Sequence, residues 1–240
     1  MAIGSEIDLY LLNDTQRAQF AIFYAAVADY ARATYRSLYP EKAPLRVTTE
    51  VRHAALLDPI LSSYYLDLHS HSDTIGVSYY PLDNDQVLPP DRVATDFSDL
   101  VALYGDKPIV FFQLGYPSGY YDSAAYPELA RHEVIATIGS SDVIQAEFIE
   151  AVFSAWDTHI EHIALISFTW LNDETETNVQ DIIADPAFGG GVPPSPGFVE
   201  FLRTLGLRTE SGIPKPAFER LREAAAARGW EGKEATLTCI

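Results

Sequence analysis

Between Pro108 and Gly119 the chain reads PIVFFQLGYPSG, a run of apolar β-formers that ends in a single amide, Gln113. A buried parallel strand with one polar residue at its tip is how barrel enzymes bring a reacting group to their mouth. A carboxylate often occupies that place; here the group is neutral. Five residues on, Ser118 lies in GYPSG just past the strand, where an exposed hydroxyl would act as a nucleophile with His53 or His132 as its base. Its spacing is G-x-x-S-G and not the G-x-S-x-G of a nucleophile elbow, so the competing expectation is that Ser118 hydrogen-bonds its own turn. Glu50 ends another strand-like segment. It is either a second carboxylate of a site or the ion-pair partner of Arg46 or Arg52. The stretch Asp67-Leu68-His69-Ser70-His71 has metal-ligand spacing, but that chemistry needs the motif at a strand end with further ligands. Here the motif closes a helix, where histidines are favoured by the dipole, so it is read as structural and no metal is expected. His159 and His162, also at a helix end, are read the same way.

The elements that must position these residues alternate in period. Helical spacing covers Thr15 to Leu38, with Asp14 as the expected N-cap and Pro40 closing it. The β-branched segment Leu45 to Val51 predicts a strand, Asp58 to Leu68 a helix, Thr74 to Leu82 a strand, and Asp96 to Tyr104 a short helix. The Gln113 strand follows. Ser141 to Asp157 predicts an amphipathic helix with Ile144, Phe148, Val152 and Trp156 on one stripe. Ala164 to Asp173 predicts another strand, and Phe198 to Leu205 and Pro216 to Arg228 the last helices. Apolar strands separated by helices mean parallel βα units. With a truncated unit at AIGSEID and strand ends near Glu50, Tyr80, Gln113 and Trp170, the count is about five. The expected fold class is therefore α/β, an incomplete TIM-type (β/α) barrel of about five βα units with parallel strands, where a complete barrel has eight. One domain is expected over residues 1–240, with 229–240 as a C-terminal tail.

Composition narrows the partners. The 240 residues carry 34 acidic and 16 basic side chains, a net charge of -18. Such a surface repels phosphate backbones and anionic lipids, so neither nucleic acid nor a membrane is an expected partner. The one cysteine, Cys239, excludes an internal disulfide and a thiolate zinc cluster, and no cofactor is expected. MAIGSEIDLYLL lacks the basic start and apolar core of a signal peptide, which predicts a soluble, cytoplasmic protein. A five-unit fragment of a barrel leaves apolar strand edges open, which predicts a homodimer through the open side.

GSEID (Gly4 to Asp8), QLGYPS (Gln113 to Ser118) and QAEF (Gln145 to Phe148) together resemble the C-terminal part of a retaining clan A glycoside hydrolase, a (β/α)8 barrel, with the likeness running from about Gly4 to Phe218. The resemblance implies that Glu6 is the acid/base and that Gln113 stands where the nucleophilic Glu of that clan would be, while Ser5 stands for the Asn before the acid/base. Retaining hydrolysis needs two carboxyl groups about 5–5.5 Å apart, and an amide cannot replace one of them as nucleophile. Natural loss of the nucleophile, an introduced Glu→Gln exchange and a purely structural amide are the three readings of Gln113. If the lineage holds, Tyr79 or Tyr80, together with Tyr116 and Trp170, would line the mouth and stack on sugar rings. The function expected first is binding or weak cleavage of a glycoside by Glu6 and Gln113, with Ser5, Glu50, Tyr80, Tyr116 and Trp170 as substrate contacts. Hydrolysis of carboxylic esters through a serine, at a mouth holding Ser5, Ser118 and nearby Glu6, is the alternative, and a non-catalytic binding protein the third.

Overall fold

A computed structural model of the chain describes residues 1–83, 86–119, 139–184 and 195–230. The residues group into two compact units. Unit 1 comprises Met1–Pro81, Arg92–Gly115 and Ala155–Thr169; unit 2 comprises the described residues of 82–91, 116–154 and 170–230.

Unit 1 is built on a four-stranded parallel sheet in the order β1 (Glu50–Arg52), β2 (Ile75–Tyr79), β5 (Ile109–Leu114), β6 (Ile163–Phe168). Every residue of β2 is buried. A central parallel strand is covered on both faces, which is why IGVSY reads as a continuous apolar run and not as an alternation. Gly76 within it is a steric requirement: a Cβ there would meet the Thr49 carbonyl oxygen at 2.5 Å. The register sets Glu50 opposite Gly76, and Ser78 opposite Gln113 across an irregularity between Val77 and Ser78.

The helices arrive where the periodicity predicts them, with shifted ends. α1 spans Asp14–Leu38, and its N-cap is Asn13, whose side chain accepts from Gln16 N, and not the expected Asp14. α2 (His53–Leu56) is a single turn, α3 covers Ser62–Ser70 and α4 covers Arg92–Tyr104. α4 buries Val93, Asp96, Phe97, Leu100 and Tyr104, the spacing of one helical face. Phe97 stacks on Phe111 of β5 with ring centroids 4.5 Å apart. β1 is shorter than the expected Leu45 to Val51 strand because side chains take over the ladder. Asp73 Oδ2 accepts from Val47 N, Thr48 Oγ1 donates to Thr74 O, and Ala2 forms an isolated parallel bridge with Thr48. The truncated first unit thus appears as that single bridge. β6 ends at Phe168, short of the expected Asp173, because beyond Thr169 the backbone pairs with a different segment: Leu207 N donates to Trp170 O and Arg208 N to Leu171 O.

Unit 2 holds the antiparallel pair β3 (Leu82–Asp83) and β4 (Gln86–Val87), which sequence patterning does not predict. Its helices are most of α5 (Asp142–Thr158), α6 (Glu176–Ala184), and the helices Pro196–Thr204 and Pro216–Ala227. α5 buries Gln145, Phe148, Ile149, Val152 and Phe153, a face turned slightly from the predicted stripe: Ile144 and Trp156 are only half-buried. The reason is Gln145, whose amide donates to Tyr116 O at 2.8 Å and Gly206 O at 3.0 Å and so faces inward with the apolar residues. No helix among the described residues is long and apolar enough to cross a membrane.

Candidate active site

Five of the residues singled out by sequence meet in unit 1. Ser5 and Glu6 come from the N-terminal loop, Glu50 from β1, Tyr80 from the residue after β2, and Gln113 from the penultimate position of β5. The loop is held in an unusual shape. Gly4 has φ +84°, a conformation that favours glycine, and a Cβ on it would lie 2.7 Å from Ile7 Cγ2. Glu6 also has positive φ, 45°, the one non-glycine residue so placed among the described residues. A left-handed glutamate costs about 1–2 kcal/mol, and strain of this kind concentrates at functional positions. Its effect is to end the extended run and start the short 3-10 turn Ile7–Leu9.

The hydrogen bonds converge on Glu50. Ser5 Oγ donates to Glu50 Oε2 at 2.6 Å, and Gln113 Nε2 donates to Ser5 Oγ at 3.1 Å and, at 3.4 Å, to the same Glu50 oxygen. Tyr80 OH donates to Gln113 Oε1 at 2.9 Å. Ser78 Oγ donates to Glu6 Oε1 at 2.8 Å. The amide at position 113 therefore accepts from a phenol at one end and donates toward a carboxylate at the other, which a glutamate side chain could not do in its charged form.

Glu50 is 3% exposed, and its Oε1 has no hydrogen-bond partner among the described residues. Burial raises its carboxyl above the ordinary glutamate range; the Glu6 charge pushes the same way, and the bonds from Ser5 and Gln113 pull back. Neither arginine considered as its partner reaches it. Arg52 pairs with Asp8, its backbone N donating to Oδ1 at 3.0 Å and its Nε to Oδ2 at 2.5 Å, while the Arg46 carbonyl accepts from the N-terminal ammonium. Burial likewise raises the Tyr80 phenol and keeps it a donor.

Of the adjacent tyrosines, Tyr80 faces this cluster. Tyr79 points the other way, its OH donating to the buried Asp96 Oδ2 at 2.8 Å. Ser78 is the member that sequence reasoning missed. The period of two was the signal, since Ser78 and Tyr80 share one face of β2 while Val77 and Tyr79 share the other.

Three expected site residues lie in unit 2, and two need correction. Ser118 is not an exposed hydroxyl: it is 0% exposed, accepts from Lys215 Nζ at 3.0 Å, and its backbone N donates to Thr204 O at 2.9 Å. The hydroxyl is held inside a polar cluster and not presented to solvent. Tyr116 is not a sugar platform, because its ring stacks on Phe148 at 4.9 Å and its OH donates to Leu88 O, leaving 2% exposed. Trp170 is half-buried just past β6. The bases considered for Ser118 fare no better. His53 is drawn to the Asp96 carbonyl at 3.2 Å, with burial lowering its pKa, and His132 lies outside the described residues.

The His69 and His71 motif closes α3 as expected. His69 is buried with Nδ1 3.1 Å from Ser72 Oγ, and burial pushes its pKa down to about 3, so it is neutral. Among the described residues no group of three or more His, Cys, Asp or Glu is arranged to hold a metal ion.

No family model and no curated relative matches the chain. Solved structures do. The chain is similar to a glycoside hydrolase family 17 β-1,3-glucanosyltransferase from Rhizomucor miehei, with 14% identity over 90% of this chain and 61% of that one and a TM-score of 0.50. It is also similar to a β-glucuronidase from Faecalibacterium prausnitzii, with 15% identity over 86% of this chain and 29% of that one and a TM-score of 0.52. The chain thus spans less than two thirds of either neighbour. The likeness is one of fold: an α/β, TIM-type arrangement of parallel strands alternating with helices, shared with glycoside hydrolases.

Proposed function

We propose that this protein is of glycoside-hydrolase lineage and binds a glycoside, with weak cleavage at most, at the cluster of Ser5, Glu6, Glu50, Tyr80 and Gln113. The observation that carries the reading is the placement of Glu6 and Gln113 together. The Glu6 carboxylate is held by Ser78, the residue in register with Gln113, at the C-terminal ends of the parallel strands where barrel enzymes do their chemistry. The fold shared with glycoside hydrolases supports the same reading.

In this site Glu6 would protonate the departing glycosidic oxygen, and the Tyr80 and Gln113 polar groups would bind sugar hydroxyls. Gln113 cannot form a glycosyl ester, because an amide is a poor nucleophile and brings no negative charge to an oxocarbenium-like transition state. Rates well below those of a retaining glycosidase follow. If Glu6 acts on no bond at all, the site is that of a binding protein.

The test is a parallel titration and rate assay of the protein and its Gln113→Glu variant against aryl β-glycosides and short β-linked oligosaccharides. Saturable binding, with cleavage gained by the variant and lost again when Glu6→Gln is added, is the expected result. Absence of binding to every glycoside by both proteins would reject the reading.

A further inference from the structure

The hydrogen bonds around Ser5 describe more than a sugar contact. Ser5 is an exposed residue of the cluster, and the carboxylate its hydroxyl meets, Glu50, is buried. Its Oγ donates to Glu50 Oε2 at 2.6 Å, the short distance of an O–H bond to a charged acceptor. The same Oγ accepts from Gln113 Nε2 at 3.1 Å. A hydroxyl whose proton points at a carboxylate, and whose oxygen already receives a second donor, is arranged to give up that proton and to have the resulting charge stabilised. Among the described residues no cation pairs with Glu50, Arg52 being engaged by Asp8. Burial makes Glu50 a stronger base than an exposed glutamate.

We propose that Ser5 is a nucleophile activated by Glu50, and that this dyad takes acyl groups from small, uncharged or cationic carboxylic esters. This goes beyond glycoside binding and does not depend on it.

The step balances within the site. Ser5 Oγ attacks the ester carbonyl carbon as its proton passes to Glu50 Oε2. The tetrahedral intermediate collapses with cleavage of the bond to the alcohol oxygen, which takes the proton from Glu50 and leaves. Water then attacks the acyl-Ser5 carbon, gives its proton to Glu50, and the carboxylic acid departs as Ser5 Oγ recovers that proton. The backbone N–H groups of Ser5 and Glu6 have no hydrogen-bond partner among the described residues. In the proposed step they would serve as donors for the intermediate's oxyanion. The carboxylates of Glu6 and Glu50 select against anionic acyl groups. The left-handed Glu6 backbone gives the turn that brings Ser5 over Glu50 its cost and its shape.

The experiment uses the full chain, a fluorophosphonate probe and 4-nitrophenyl acetate. The expected result is one phosphonyl group per chain by intact mass, located on Ser5 by peptide mapping. 4-Nitrophenyl acetate should give a burst of nitrophenolate matching an acetylated Ser5. Ser5→Ala should abolish both. Glu50→Gln, checked for folding by circular dichroism, should slow labelling about 10²-fold or more, the loss typical of a missing general base. Ser118→Ala should label like the parent. Ser5→Ala, also checked for folding by circular dichroism, keeps the test valid if Glu50→Gln unfolds. Labelling at another residue, no labelling, or a Ser5→Ala variant that reacts at the parent rate would each overturn the proposal. Glycoside titration of the same samples reads the carbohydrate proposal separately.

Discussion

Replacing Lys215 by methionine should destabilise the protein in proportion to pH, and the structure supplies the magnitude. The Lys215 side chain is 0% exposed and that of Asp173 is 2% exposed, with Nζ to Oδ1 at 2.7 Å. Nζ also donates to Ser118 Oγ at 3.0 Å, Gly206 O at 2.8 Å and Thr204 O at 3.3 Å. Removing the ammonium leaves those carbonyls provided for, because Thr204 O still accepts from Ser118 N and Gly206 O from the Gln145 amide. The loss therefore falls on Asp173, whose Oδ2 has no partner among the described residues. A buried carboxylate without a counter-charge costs about 3–5 kcal/mol.

Protonation sets a ceiling on that cost. Burial pushes the Asp173 carboxyl up while the Lys215 ammonium pulls it back down, and without the lysine it rises further. A carboxyl raised in the folded state binds its proton more tightly there, so stability is retained at low pH and lost as pH rises. Holding the group neutral costs about 1.4 kcal/mol for each pH unit above 3.8, so against a parent whose ion pair keeps the carboxyl charged the variant loses at most about 4 kcal/mol at pH 7 and about 2 kcal/mol at pH 5.5. Urea denaturation followed by circular dichroism at both pH values, each against the parent, reads this difference. The double variant Lys215→Met, Asp173→Asn keeps an acceptor for Gly206 N and should recover at least about 2 kcal/mol of the pH 7 loss. A single variant costing under about 1 kcal/mol at pH 7, or a double variant no more stable than the single one, would refute the argument. It would also reopen Ser118, whose structural role rests on this lysine.

Two further outcomes follow from the packing. His69 is depressed from 6.5 to about 3 by burial, with Lys107 acting in the same direction. The unfolded chain then binds the proton first, and stability is lost as pH falls below 6.5, by up to about 1.4 kcal/mol per pH unit until the folded value is reached. Between pH 6.5 and 4.5 the parent should lose about 2–3 kcal/mol more than His69→Phe in urea titrations, and equal slopes would contradict a neutral buried histidine. Gly76→Ala should cost about 1–3 kcal/mol or more, since the added Cβ meets backbone, Thr49 O at 2.5 Å, and not a flexible side chain. The displaced neighbour lies next to Glu50, so the rate of Ser5 labelling should fall with stability; a fully stable Gly76→Ala protein would show that β1 and β2 are less closely set.

The local order of the chain is legible from its residues. The apolar run before Gln113, the helical stripe after Ser141 and the spacing around Phe97 each report a burial pattern carried by neighbours in sequence, and those elements appear in the predicted order. Glu50, Tyr80 and Gln113 are also legible, because each is a polar group at the end of an apolar segment, while Ser5 and Glu6 are singled out by the resemblance that GSEID carries. What local pattern cannot encode is which distant group a side chain meets. The period of two says that Tyr79 and Tyr80 face opposite ways, but only the packing of α4 on β2 decides that Tyr79 turns to Asp96. Glu50 and Arg52 are neighbours on a strand, yet Asp8, 44 positions from Arg52, takes the arginine. Ser118 has the surroundings of an exposed turn in sequence and is buried against Lys215, 97 positions later. Burial and pairing across such separations are properties of the folded chain, since they depend on which segments exclude water from one another. The raised carboxyl of Glu50, the exposure of Ser5 and the burial of Ser118 were therefore decided by tertiary structure.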